Sequence, residues 1–172
     1  RAVPGVLPMA MHLKPNNGIK GLIVPYENAR EAAIAGTVPV YPVQSLKQAI
    51  HFLEDTSTIS PFTIDIKDVF EQARRYHNDF SDVKGQESAK RALEIAAAGG
   101  HNIIMIGPPG SGKTMLARRV STILPDMTVA EALETTKIHS VAGRLQPGAG
   151  MVATRPFRAP HHTVSYAGLV GG

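Results

Sequence analysis

Eight consecutive residues carry the most legible chemistry in this 172-residue chain. Gly107, Pro108, Pro109, Gly110, Ser111, Gly112, Lys113 and Thr114 satisfy G-x-x-x-x-G-K-[ST] at every fixed position. Glycines let a short turn aim successive backbone N–H groups inward, where they can meet phosphate oxygens. A helix beginning at Lys113 adds unpaired N–H groups and the positive end of its dipole. Lys113 brings a full positive charge to the β and γ phosphates of a nucleotide, and the Thr114 hydroxyl is a ligand for Mg²⁺. These residue types at this spacing predict a phosphate cradle.

Hydrolysis asks for more than a cradle. It needs an acid at the end of a neighbouring strand to hold Mg²⁺ and polarise water, and usually an arginine at the γ-phosphate. After Thr114 the acids are Asp126, Glu131 and Glu134, all in or beside a helical stretch, and no apolar strand ends in Asp-Glu. The chain is therefore expected to bind nucleotide and to hydrolyse it poorly or not at all. Other sites are thinner. His161 and His162 could hold a metal, but neighbours in an extended segment point to opposite sides, and no acid or cysteine stands near them. His12 and His101 read as polar residues at element ends. A Ser–Lys peptidase dyad would need a lysine near residues 5–10, and none is there. Arg155 and Arg158 fall in a loop and could contact a nucleic-acid backbone or pair with acids.

The elements around the cradle follow from periodicity and punctuation. Ile103, Ile104, Met105 and Ile106 read as a buried strand leading into the turn. A helix over 113–124 presents Leu116, Val120, Ile123 and Leu124 on one face and stops at Pro125. Ahead of the strand, residues 86–98 read as a helix with Ala89, Leu93, Ala96 and Ala97 on one face, ended by Gly99 and Gly100. This strand–turn–helix order is the context that the motif requires. Residues 1–54 read as strand, helix, strand, helix. Gly21 to Val24 form the first strand, and Asn28 with Glu31 begins the first helix as a capping box. Residues 38–41 form an edge strand containing Pro39. Ser45 with Gln48 begins a helix whose Leu46, Ala49, Ile50 and Leu53 make one apolar stripe. Residues 55–63 read as a linker, 69–76 as a short amphipathic stretch and 129–136 as a helix. Residues 143–172 carry six of the 16 glycines and read as loops or hairpins.

Composition narrows the classes. With no cysteine, disulfides, thiolate metal sites and a cysteine nucleophile are excluded. No apolar run approaches the roughly 20 residues of a membrane span, and the N-terminus has neither Met nor a leader pattern. A cytoplasmic protein, itself part of something longer, is the expectation. Residues 1–136 balance fourteen basic against fourteen acidic residues. The net charge of +4 therefore lies wholly in the last 36, in Lys137, Arg144, Arg155 and Arg158. Such a segment attracts phosphate-rich partners or an acidic neighbouring subunit.

Three stretches also carry a family resemblance. They are the phosphate loop, the preceding Asp82, Val83, Lys84, Gly85 and Gln86, and the run from Arg155, Pro156, Phe157 and Arg158 through Ala159, Pro160, His161, His162 and Thr163. Together they resemble the magnesium-chelatase-like AAA+ ATPases, above all the competence-associated ComM/YifB type. Residues 1–54 resemble the end of the Lon-protease-like (S5-type) domain that precedes the ATPase in that group. The resemblance implies an α/β chain. Residues 1–54 would close the Lon-like domain, 55–78 would link, and 79–172 would form the N-terminal half of a P-loop AAA+ core. It implies ATP and Mg²⁺ as ligands, with Val83, Gly85 and residues 107–115, ending at Met115, around the nucleotide. It implies a hexameric ring, with Arg144, Arg155, Arg158, His161 and His162 on DNA-facing pore loops. The competence type is linked to DNA branch migration. The alternative is a chelatase-type subunit driving Mg²⁺ insertion into a porphyrin. The second Mg²⁺ motif, the sensors and the arginine finger of the family are not in this sequence.

Overall fold

Two four-residue apolar runs, β1 (Leu22–Pro25) and β2 (Val40–Val43), pair in parallel, with Leu22 opposite Val40 and Pro25 opposite Val43. Parallel neighbours need a crossover, and α2 (Ala29–Ala33) supplies it. Both strands of a two-stranded sheet are edges, so Pro25 and Pro42 are tolerated within them. A computed structural model of the chain describes residues 1–15, 18–76, 78–146 and 148–159. These form two compact units. The first comprises Arg1–Arg75 with Asp126–Thr154, and the second Tyr76–Pro125 with the residues from Arg155 onward. Helices with a small parallel sheet make this an α/β chain, as expected.

In the first unit, α1 (Val6–His12) follows Gly5, whose φ of 78° turns the chain into the helix. Pro8 sits in the first turn, where its missing N–H costs nothing. Val6, Ala10, Val24, Ala29, Ala32 and Val40 close one core. Leu7, Ile34, Val69, Phe70, Met127, Ala132, Met151 and Ala153 close a second. Val69 and Phe70 come from α4 (Ile66–Ala73), which Asp65 caps through Lys67 N at 2.7 Å. Arg74, just beyond α4, bonds Glu71 and Asp126, and both raise its pKa above the usual guanidinium value. α7 (Val129–Val141) opens on a reciprocal capping box between Thr128 and Glu131 and runs one turn past the expected 129–136. Its Thr136 hydroxyl accepts the Val152 N–H at 2.9 Å, seating the following segment on the helix.

Two expectations for this unit need correction. Asn28 does not cap α2. Its side chain is buried and bridges Val3 instead, accepting from the Val3 N–H at 2.8 Å and donating to the Val3 carbonyl at 2.9 Å. A partner 25 residues away outbids the local cap. The second correction concerns α3 (Leu46–Leu53). Ser45 Oγ accepts from Gln48 N as expected, and Gln48 Oε1 accepts from Gln44 N. The apolar stripe faces outward: Leu46 is 77 % and Leu53 70 % exposed. The helix is fastened by Phe52, whose ring lies 4.8 Å from that of Tyr41. Periodicity reveals that a helix has an apolar face but not which way it turns. Leu53→Lys is accordingly expected to change stability by under about 0.5 kcal/mol in a urea titration, whereas the fully buried Leu7→Ala should cost about 2–5 kcal/mol.

The second unit is built on Phe80, Val83, Leu93 and Leu116, with Met105, Met115, Val120 and Ile123 against them. Leu93 belongs to α5 (Glu87–Gly99). Gly100, at φ 62°, ends that helix by donating to the Ala96 carbonyl. Leu116 belongs to α6 (Lys113–Arg119), which is shorter than the expected 113–124 and tightens into a 3-10 turn over Val120–Thr122. Asp79 opens another such turn, Phe80–Asp82. Hydrogen bonds from Ser81 hold the Asp79 carboxyl below its ordinary pKa. A carboxyl lowered in this way contributes its stability above the unfolded-state value and loses it as pH falls through the folded one.

The expected strand at 103–106 does not form. Ile104 is 83 % and Ile106 90 % exposed, and no strand pairs with this run among the described residues. A strand takes its hydrogen bonds and half its burial from neighbours, and a run of isoleucines without one stays an extended segment. Only Met105 turns into the core. No helix of the described residues is long and apolar enough to cross a membrane.

Candidate functional site

The phosphate loop is fixed at its far end and open along its turn. Leu116, 2 % exposed, anchors α6 in the core, and its N–H donates to Gly112 O at 2.9 Å. Gly110 and Gly112 have φ of 78° and 83°, left-handed values that favour glycine. Ser111 N donates to Pro108 O at 3.3 Å and closes the turn. Lys113 folds its ammonium back over this turn. Nζ donates to Gly107 O and Pro108 O, each at 2.8 Å, and lies 3.2 Å from Ser111 Oγ. All three partners are uncharged, so none of them offsets a positive charge at the mouth of the loop. Thr114 is exposed on the first turn of α6, and Met115 packs inward beside it.

A cavity of about 380 Å³ adjoins the loop. Ile103, Ile104 and Ile106 make one wall, and Gln86, Ser111 and Lys113 supply its polar end. Val83 is 4 % exposed, so its side chain is committed to the core, while its carbonyl accepts from Lys90 Nζ at 3.3 Å. Gly85 follows at φ 69° and lets the chain turn into α5. Arg119 binds α6 to this segment, donating to Asp79 O at 3.1 Å with Asp82 at 3.9 Å.

The nucleotide candidates thus share the second unit. The basic candidates do not share one unit. Arg144 is exposed and belongs to the first. Arg155 and Arg158 belong to the second, where Arg155 Nε donates to Pro125 O at 2.7 Å and its N–H to the Tyr76 hydroxyl at 3.1 Å. His161 and His162 lie outside the described residues. No group of three metal-ligating side chains occurs among the described residues. The family resemblance sets Gln86 within the run 82–86 along the adenine but gives it no role of its own, and nothing local marks a glutamine for a left-handed backbone.

The two loop glycines differ in what a side chain would meet. A Cβ on Gly112 would lie 3.0 Å from Gln86 Nε2 and 3.3 Å from Met115 Cε, whereas one on Gly110 meets nothing within 4 Å. Gly112→Ala is expected to weaken anion binding at the loop by at least about tenfold. Gly110→Ala bears only the left-handed penalty of about 1–2 kcal/mol. Titration of both variants with ATP and Mg²⁺ checks the order.

The described residues show part of the expected phosphate cradle, a glycine-rich turn closed by a lysine and running into a helix, without a paired strand before it. Comparison with known sequences gives the family. The family model described as magnesium chelatase, subunit ChlI, matches residues 79–172. Competence protein ComM of Haemophilus influenzae is 40% identical over 176 aligned residues, covering all of this chain and 33% of that protein. YifB of Escherichia coli is 38% identical over 173, with the same coverage. An archaeal Lon protease of Halobacterium salinarum is 39% identical over 51 residues, 30% of this chain and 7% of the protease. The chain belongs to the magnesium-chelatase-like AAA+ ATPase family that includes ComM and YifB. It spans about a third of the length of those two relatives.

Proposed function

We propose that residues 107–114 bind the polyphosphate of ATP together with Mg²⁺, and that the protein carrying them is a ring-forming, hexameric motor acting on DNA. The observation that carries the nucleotide reading is the Lys113 ammonium, held by uncharged oxygens over a turn of left-handed glycines. With no carboxylate among its partners, the ammonium is available to an anion that draws it off the carbonyls. Lys113 and the amides at 110–113 would hold the phosphates, and Thr114 would hold Mg²⁺, which spreads phosphate charge when bound. Val83 and Gly85 would border the nucleotide through their backbone.

The acids that follow the loop are engaged elsewhere. Asp126 pairs with Arg74, Glu131 accepts from Thr128 N at 2.7 Å, and Glu134 meets Lys137 at 2.6 Å. This supports a chain that binds ATP and hydrolyses it slowly. Calorimetry with ATP and Mg²⁺ tests binding: saturation with one site supports the reading, and no heat at millimolar nucleotide removes it.

The similarity to a competence protein is in keeping with the DNA role that the family resemblance implies, and the excess of positive charge after residue 136 supports it independently. Arg144, Arg155 and Arg158 are the described residues we assign to DNA, with His161 and His162 beside them in sequence. DNA affinity should fall steeply with salt, as counterion release requires. A flat plot of log K against log salt sinks the assignment. The family model's description favours a second reading, a subunit that drives Mg²⁺ insertion into a porphyrin. Branched-DNA binding without porphyrin-pathway partners separates the two. We assign residues 1–54 to the end of a Lon-like domain, 55–78 to a connection and 79–172 to the first part of the AAA+ core. The similarity to the archaeal Lon protease supports the first of these.

A further inference from the structure

Among the described residues only Asp55 and Gln86 have positive φ without being glycine. Asp55 lies in an exposed turn after α3, and aspartate tolerates this region comparatively well. Gln86 is a different case. At φ 56° and ψ 38° it is the second left-handed residue in succession, after Gly85, and it stands directly before α5. A glycine would satisfy that backbone without strain, whereas a glutamine stores strain there.

The strain is not offset by helix capping, because the Gln86 side chain makes no cap hydrogen bond to α5. What the left-handed turn does is deliver the side-chain amide to the phosphate loop. Nε2 lies 3.0 Å from where a Cβ on Gly112 would stand, and Gln86 shares the polar end of the cavity with Ser111 and Lys113. The two helices on either side are fixed in the same core, α5 through Leu93 and α6 through Leu116, each no more than 2 % exposed. The amide therefore bridges a rigid frame and the one corner of the loop that carries both a left-handed glycine and the lysine.

We propose that Gln86 is a positioning residue for the phosphate loop: its amide occupies the space beside Gly112 and keeps the Gly112–Lys113 corner from swinging toward α5. The left-handed backbone at Gln86 is what this placement costs. The residue acts through Gly112 and Lys113, and for nucleotide affinity the inference rests on the phosphate-loop reading above.

Gln86→Gly and Gln86→Ala test it. Gln86→Gly removes the strain and the brace together, so it should raise Tm while loosening the loop. A residue with only a structural role would move both readouts in the same direction. In the ligand-free chain, hydrogen exchange at the Ser111 amide, which donates to Pro108 O, should quicken about tenfold in both variants, with the amides of 116–119 unchanged. Affinity for ATP and Mg²⁺ should fall about tenfold in both. Gln86→Glu should bind more weakly still, with part of the loss recovered at high salt, because a carboxylate there would face the phosphates. Unchanged loop exchange in Gln86→Gly overturns the proposal whether or not nucleotide binds. Quickened exchange in a chain that binds no nucleotide even as wild type leaves the brace standing and removes the phosphate-loop reading. A lower Tm for Gln86→Gly also overturns it.

Discussion

Lys113→Ala is expected to lower affinity for ATP and Mg²⁺ by at least about a hundredfold while leaving the fold intact. Among the described residues the ammonium is the one positively charged group bonded onto the turn, and its three partners there are neutral oxygens. A charge-assisted hydrogen bond contributes roughly twice a neutral one. Here a single group would meet several phosphate oxygens, so removing it costs on the order of 3 kcal/mol of binding. The fold should barely respond. The Gly107 and Pro108 carbonyls that lose the ammonium sit in exposed residues and can turn to water, and α6 keeps its anchor through Leu116. Lys113→Arg should not rescue, because a planar fork cannot place its charge where a compact ammonium sits within 3 Å of two successive carbonyls. Calorimetric titration beside a thermal melt separates the two effects. Wild-type affinity in the alanine variant would remove the assignment of these residues to phosphate.

How much of this was legible beforehand depends on whether the determining contact is local. The turn at 107–114 could be read because its conformation is dictated by its own glycines, and Gly110 and Gly112 take the left-handed values that they permit. The end of α5 could be read for the same reason at Gly100. The order of strand, helix, strand, helix before residue 54 survives as β1, α2, β2 and α3. The misreadings all involve distant partners. Asn28 and Glu31 look like a local capping pair, yet Val3 and Ser140 claim their side chains. Ile103, Ile104 and Ile106 look buried because isoleucine usually is, but a strand exists only where another lies beside it. α1, with a proline in its first turn, gives no periodic signal over seven residues. The association of Asp126–Thr154 with Arg1–Arg75 depends on contacts distant in sequence, such as Arg74 with Asp126 and Ser140 with Glu31, and no local pattern announces it.

Glu31→Ala should cost the first unit about 3–5 kcal/mol, the largest loss of stability expected from any polar residue here. Its carboxylate is 6 % exposed and holds three donors. Oε1 accepts from Leu7 N at 3.0 Å and from the Ser140 hydroxyl at 2.5 Å, and Oε2 accepts from Asn28 Nδ2 at 2.9 Å. One side chain therefore ties α1, α2 and α7 together. Leu7 N lies in the first turn of α1, where N–H groups have no partner within the helix, so Glu31 acts as its cap from a distance. Alanine would leave these donors buried and without an acceptor, at about 1–3 kcal/mol for each that cannot reach water. Glu31→Gln is the sharper test. Its oxygen could keep Leu7 and Ser140, but its amide would then face the Asn28 amide, donor against donor. Asn28 cannot turn over without losing both bonds to Val3. A cost of about 1–2 kcal/mol is expected for glutamine, and a similar one for Ser140→Ala, which removes a single bond. Glu54→Ala, an exposed acid on the end of α3, should be near neutral. Hydrogen exchange at the amides of α1 and α7 reports these costs within the first unit. If Glu31→Ala protects those amides as well as wild type does, the carboxylate is not what joins the three helices.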